Sequence, residues 1–340
     1  MTGTGLRYGG IGILTALVFC AHGAGQAQTT GGGAAPHVAA AKAAARQEHV
    51  ALFNMLCAAP PPMTPQAAAA PAGARPTPPP RSQWYAAPAK VFDNLYFVGM
   101  TEYTAWAVTA SDGIVVIDPL FDYSVEAEVV EGLTKLGLDP KRIRYVLVSH
   151  AHTDHVGGAR LLQERFGARV VMSAADWDLL STDRGSYPKP KRDMVATDGQ
   201  KLTLGDTTLT LHFTPGHTLG TISTIIPVKD GSRSHVAALW GGTNFNWRNN
   251  GGARYITPER PASFWYAQYA ASARRFRELA AKAGADVLLS NHSNYDGTKT
   301  HLPALARRKT GDPHPYVVGN DSVGRFLTVA EECAKAGPLW

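Results

Sequence analysis

An apolar run at residues 143–149 ends in His150, His152, Asp154 and His155, and two glycines, Gly157 and Gly158, follow almost at once. The run reads as a buried strand and the glycines as the start of a helix, so the cluster must sit where a strand bends into a helix. In extended backbone, side chains two positions apart point the same way, which lets His150 and His152 converge on one ion. Asp154 and His155 lie past the bend and can face a second ion beside the first. Any one of these histidines alone would read as a solvated or core imidazole. Four ligand-type residues within six positions, at the C-terminal end of a strand, read as a metal site. Imidazole nitrogens with a carboxylate and no thiolate nearby point to zinc or another borderline divalent ion.

The 340 residues suit one large α/β unit with a processed leader and an extension. Arg7 precedes an apolar stretch at 11–19, and the small residues Gly25 and Ala27 flank a cleavage point before Gln28. That stretch is too short to span a bilayer well. Residues 1–27 are therefore expected to be a secretory signal peptide, which makes the mature protein periplasmic or secreted and free of the membrane. Cys20 has the outline of a lipid-attachment site, but bulky Phe19 stands before it. Once Cys20 leaves with the leader, Cys57 and Cys333 remain as a pair in an oxidising compartment. A disulfide between them is expected, tying the N-terminal extension to the C-terminal helix. The formal charge of +6 does not call for a nucleic-acid partner, because the basic groups at 189–192 and 307–309 are short, separated and free of interleaved aromatics.

Residues 38–56 are alanine-rich with a helical rhythm, Val50, Leu52, Phe53 and Leu56 forming an apolar edge, and proline-rich sequence follows to Pro80. Residues 28–83 are thus expected to be an extension and linker, and residues 84–340 the catalytic domain. Within it, strands are expected at 91–98, 105–108, 113–118, 143–149, 169–172, 202–204, 208–213, up to Trp240 and at 287–290. Helices are expected at 124–136, 158–166 and 261–283. Interleaved strands and helices in two similar halves imply a layered α/β architecture, with two sheets inside and helices outside.

A catalytic zinc takes three protein ligands and keeps an open position. His217 follows the strand that ends at Phe213, and His292 follows the strand that ends at Ser290, so both sit where strand ends open onto the edge that carries His150. His212 lies inside an alternating strand and reads as structural; His235, His301 and His314 lack a strand-end setting. Asp118, at the end of its strand, reads as a residue that holds a ligand histidine or its loop. Tyr187, Phe245 and Trp247 are aromatic residues that could line a cleft but more often pack in a core.

His150, His152, Asp154, His155, His217 and His292 together resemble the metal-binding pattern of the metallo-β-lactamase superfamily, with a similar layout from about Trp84 to Ala334. The chain looks like a secreted class B, subclass 3 metallo-β-lactamase. That resemblance implies an αββα sandwich, two central mixed sheets flanked by helices, with the site at one edge between the sheets. It assigns His150, His152 and His217 to one zinc and Asp154, His155 and His292 to the other. Glyoxalase-type and lactonase-type members place a metal-bridging aspartate between the last two histidines, and the other β-lactamase subclasses place a cysteine there. Residues 240–246 contain neither, which matches subclass 3. The resemblance then implies a zinc-dependent hydrolase, carrying two ions, that opens the β-lactam ring by attack of a metal-bound hydroxide and so confers resistance to β-lactam antibiotics. Asp154 orients that hydroxide, and Thr243, Asn244 and Asn246 stand where familiar members use serines to hold the substrate carboxylate. The alternative on the same scaffold is a secreted hydrolase of another ester, lactone, thioester or phosphodiester. Either way the partner is a small molecule, and the oligomeric state is not legible.

Overall fold

The computed structural model describes residues 1–5, 33–58, 77–248 and 252–340. Residues 6–27 of the expected leader, Cys20 included, and most of the proline-rich stretch lie outside the described residues. The chain divides into Met1–Gly32 and Gly33–Trp340; in the first unit the described residues 1–5 form no helix or strand. No described helix is long and apolar enough to cross a membrane.

Strands β1 (Ala89–Lys90), β2 (Leu95–Phe97), β3 (Trp106–Ala110), β4 (Gly113–Ile117), β5 (Ile143–Leu147), β6 (Arg169–Ser173) and β7 (Met194–Ala196) lie side by side in chain order. The pairs from β1 to β4 are antiparallel and those from β4 to β7 parallel. A second sheet holds β8 (Lys201–Leu204), β9 (Thr207–Phe213), β10 (Ile222–Asp230), β11 (Arg233–Trp240) and β12 (Val287–Ser290), in the order β12-β11-β10-β9-β8. Here only β11 and β12 pair parallel. The helices are α1 (Ala34–Ala45), α2 (Val50–Leu56), α3 (Glu131–Lys135), α4 (Thr153–Val156), α5 (Ala159–Phe166), α6 (Ala174–Thr182), α7 (Ala262–Ala283), α8 (Thr298–Arg307) and α9 (Asn320–Ala336).

Period-two alternation distributes these strands over three apolar layers. Val115, Ile117, Leu147 and Val171 of the first sheet meet Leu209, Leu211, Ile222, Ala237 and Leu289 of the second. Their chain neighbours Ile114, Val116, Val146 and Val170 turn outward onto Leu133, Leu162 and Leu180 of α3, α5 and α6. Across the molecule, Ala238, Trp240 and Leu288 turn outward onto Tyr269 and Phe276 of α7 and Phe326 and Ala330 of α9. Both faces of each sheet are therefore buried, which is why the central strands are continuously apolar in sequence. The result is the expected αββα sandwich, with two mixed sheets between helical layers.

Two boundaries differ from expectation. The stretch 38–56 forms two helices, α1 and α2, that break near Arg46, whose φ is +46°. Ala41, Ala45, Leu52 and Leu56 are then buried in the same layer as α7 and α9, and the buried His49 bonds the Ser322 carbonyl at 3.0 Å. The compact unit thus begins at Gly33, not at Trp84. Alanine is small enough to let α1 approach α9 closely, but it contributes little amphipathic signal, so the packing was not legible. Strand β10 and helices α6 and α8 also stand outside the expected elements; Pro227 within β10 and Pro303 within α8 interrupt the periodicity that would mark them.

Cys57, just past α2, and Cys333 on α9 form the expected disulfide, which closes a loop of sequence separation 276. A cross-link of that span restricts the unfolded chain strongly. Replacing both cysteines with serine is expected to lower the unfolding free energy by about 2–4 kcal/mol, measured by denaturant titration. An unchanged midpoint would show that the bridge carries no load.

Candidate metal centre

Strand direction brings the polar loops together. β9 and β11 each pair antiparallel with β10, so they run the same way, and β12 runs parallel to β11. Their C-terminal ends therefore open on one edge, delivering His217, residues 241–246 and His292 to it. In the facing sheet β4 and β5 are parallel and deliver Asp118 and His150. His152 keeps extended backbone, φ −85° and ψ 151°, and directly precedes α4, so Asp154 and His155 lie on that helix's first turn. The bend falls before Asp154, as expected, but the chain turns helical at Thr153, earlier than the expected start at the glycines. The glycines serve packing instead: a Cβ on Gly158 would lie 2.2 Å from the Pro119 carbonyl oxygen and 2.5 Å from Val125 Cβ.

The six expected ligand residues gather in two triads, His150, His152 and His217, and Asp154, His155 and His292, with the donor atoms of each within 4.8 Å of one another. His150 Nδ1–H donates to the Gly241 carbonyl at 2.8 Å, and His217 Nδ1–H donates to the Asn244 carbonyl at 2.7 Å. A carbonyl can only accept, so both rings are fixed as Nδ1–H tautomers with bare Nε2 lone pairs turned inward. Those two Nε2 atoms are 3.0 Å apart, and His217 Nε2 is 3.1 Å from His152 Nδ1. The outer nitrogen of His152, Nε2, lies 2.5 Å from the Tyr255 hydroxyl. The inward Nε2 lone pairs of His150 and His217 repel each other unless a proton or a cation lies between them, and three imidazole donors fit a zinc-type ion. Burial, reinforced by the neighbouring imidazoles, holds His150 and His217 well below the ordinary histidine pKa, which keeps both rings as neutral donors.

The second triad is electrostatically different. His155 lies between two carboxylates, with Nε2 2.9 Å from Asp154 Oδ2 and Nδ1 3.2 Å from Asp118 Oδ2. Burial disfavours its charge, but Asp154 and Asp118 outweigh burial and raise it to about 10. Asp154 shows the converse: burial works against ionisation, and His155 and His292 still hold its carboxyl well below the usual range. Burial and then His155 push His292 down to about 4. A buried anionic pocket of this kind attracts a proton or a divalent ion, and Asp154 with two imidazoles supplies three ligands for the latter.

Asp118 bears out its expected supporting position. Its Oδ1 accepts the Ser149 N–H at 2.7 Å, its Oδ2 accepts the Ser149 hydroxyl at 2.7 Å, and it faces His155. The residue sits at φ +55°, in the left-handed region that aspartate tolerates better than most side chains, and this turn aims the carboxylate back over the strand ends.

Residues 241–246 play a different part from the one expected. A Cβ on Gly241 would lie 1.8 Å from the Ile222 carbonyl oxygen, so only glycine lets this loop approach and offer its carbonyl to His150. Thr243 is buried and shares its hydroxyl with Ser290 Oγ at 3.1 Å and Asn291 Oδ1 at 3.3 Å. Asn246 Nδ2 donates to the His217 carbonyl at 2.8 Å, and Asn244 serves His217 through its main chain. The Thr243 and Asn246 side chains are thus engaged with the loops that carry His292 and His217, and the Asn244 side chain is half-buried. Phe245 and Trp247 are core residues against Tyr266, and the Tyr187 hydroxyl donates to Asp183. His212 is structural as expected, His235 pairs with Asp286 at 2.6 Å, and His314 bonds the Val91 carbonyl. His301 packs against Tyr316.

The cavity at the centre, about 360 Å³, is lined by Tyr103, Phe121, His152, Thr153, Asp154 and Asp183, with Ala151. A larger cavity of about 660 Å³, walled by Phe97, Met100, Leu302 and Pro303, carries no histidine or carboxylate, so volume alone does not mark the chemistry. Tyr103, Asp176 and Tyr255 escaped the sequence reading, since none belongs to a spacing pattern or follows a strand that carries a ligand.

Residues 99–231 match the model of the metallo-beta-lactamase superfamily. Over 119 residues the chain is 34% identical to a hydroxyacylglutathione hydrolase of Acidiphilium cryptum, an alignment covering 35% of this chain and 42% of that protein. The chain thus spans less than half the length of the curated relatives it matches. Among solved structures it is similar to BJP-1, a subclass B3 metallo-β-lactamase of Bradyrhizobium japonicum, with TM-score 0.58 and 28% identity, covering 74% of this chain and 93% of that one. It is also similar to the Rm3 metallo-β-lactamase, with TM-score 0.63 and 27% identity over 75% and 94% of the two chains.

Two outcomes follow from the geometry. His217→Ala is expected to remove one zinc equivalent by elemental analysis, and undiminished zinc content would take His217 out of the ligand set. In metal-free protein, Asp118→Ala is expected to cost about 3–5 kcal/mol in denaturant unfolding, because it strips the buried, protonated His155 of one of its two carboxylate partners. An unchanged midpoint would leave Asp118 as a turn residue only.

Proposed function

This chain carries a metallo-β-lactamase superfamily domain, and from that premise we propose that it is a secreted di-zinc hydrolase that opens the β-lactam ring. The observation that carries the reading is the composition of the two triads: three histidines in one, Asp154 with two histidines in the other, and no aspartate or cysteine from residues 240–246. That set is the one expected of the subclass 3 branch, and the likeness to BJP-1 along nearly its whole length supports it. The disulfide between Cys57 and Cys333 supports an oxidising, extracytoplasmic setting, as does the leader-like sequence of residues 1–27.

Bound divalent ions supply a water acidified toward a pKa of about 7 and a Lewis acid for the scissile carbonyl. The chain's own residues do the rest. His150, His152 and His217 present their nitrogen donors in place through contacts with Gly241, Tyr255 and Asn244. Asp154 is partly exposed to the cavity and ionised, so its carboxylate is placed to orient the attacking water. Tyr103 and Phe121, with rings 5.0 Å apart, form an aromatic wall of the same cavity against which the apolar part of a substrate can pack.

A thioester substrate is the second reading, favoured by the 34% identity over 119 residues to a hydroxyacylglutathione hydrolase. One assay separates the two. The purified zinc-loaded protein is offered a penicillin, a cephalosporin, a carbapenem and a hydroxyacylglutathione thioester, each with and without a chelator. Chelator-sensitive turnover of at least one β-lactam is expected; turnover of the thioester alone would replace the β-lactam reading with the second.

A further inference from the structure

Asp176 is fully buried on the first turn of α6, where its amide N–H donates to Ser173 Oγ at 3.2 Å. Its Oδ2 accepts from two different loops. The Thr218 hydroxyl donates at 2.9 Å and the Ala151 amide N–H at 3.3 Å. Ala151 separates His150 from His152, and Thr218 directly follows His217. One carboxylate oxygen therefore joins the two chain segments that supply the whole first triad. Both segments are themselves held: Thr218 N–H donates to Thr221 Oγ1 at 3.0 Å, and Ser149 accepts the Ile222 N–H at 2.8 Å. Gly220 seats the second segment against α6, since a Cβ there would lie 1.8 Å from Ser173 Oγ.

We infer that Asp176 is a positioning residue for the first metal triad: its carboxylate sets the separation of His217 from His150 and His152 before an ion arrives. Hydrogen bonds inside a buried site have no water to compete with. Relaxing them lets the two loops drift apart, so an arriving ion must restore the arrangement at the expense of binding energy. The second triad is not held by Asp176 and depends on Asp118 instead. This inference rests on the ligand assignment made above.

The test is zinc binding to the full chain, measured by competition with a chromogenic chelator, with thermal melting recorded for every variant. Wild type is expected to bind two equivalents. Asp176→Ala is expected to weaken one equivalent roughly 10- to 100-fold, as loss of a residue that orients metal ligands does, and to leave the other close to wild type. Asp176→Asn, which retains an acceptor oxygen, is expected to recover part of the loss. Thr218→Val removes a single donor without disturbing α6, and is expected to weaken the same equivalent while adding little in combination with Asp176→Ala. Two equivalents in wild type with unchanged affinities in Asp176→Ala and Thr218→Val would overturn the role of Asp176 alone, as would equal weakening of both equivalents. No zinc uptake by wild type would overturn the ligand assignment itself.

Discussion

The structure depends on burying both faces of both sheets. When the central strands are apolar on each side, the polar groups the chain carries have only the sheet edges to occupy, and the strand directions decide which edge. β5, β9 and β12 all end on the same one, from opposite sheets, so histidines far apart in sequence meet there. The helical layers anchor the arrangement from outside. α9 packs on α7 and on α1, and the disulfide from Cys57 ties that layer to the N-terminal helices.

The two triads are built on different electrostatic terms although they share an edge. In the first, main-chain carbonyls impose the tautomers of His150 and His217, so these two turn bare nitrogens toward each other, while His152 is held from outside by the Tyr255 hydroxyl. The second is an anionic pocket, with His155 between Asp154 and Asp118. The rings of His150 and His155, 4.3 Å between centroids, bring the pair within reach of one small substrate. Asp154 is the residue placed to act on both sides of that boundary, since it belongs to the second triad and lines the cavity beside His152.

Most of the centre was legible from the strand-end cluster. Four donors in six residues after an apolar run leave little freedom, and His217 and His292 were found because each follows a strand whose direction could be inferred. Asp118 was legible for the same reason. Thr243 and Asn246 were assigned to substrate because the resemblance places carboxylate-holding serines in this stretch, and only the folded chain shows their side chains bonded to Ser290, Asn291 and the His217 carbonyl. Tyr255 and Asp176 were out of reach: each contacts the first triad across a long stretch of chain, from an element that carries no ligand.

The amino-acid sequence by itself determined the layered α/β class, the identity of the six donor residues and the place of the centre at a sheet edge. These follow from local periodicity and from donor chemistry, which need no knowledge of what packs where. Tertiary structure alone decided that residues from Gly33 belong to the compact unit, that main-chain carbonyls set the histidine tautomers, and that a buried carboxylate on α6 joins two ligand loops. Each of those depends on contacts between segments remote in sequence, and such contacts leave no periodic trace along the chain.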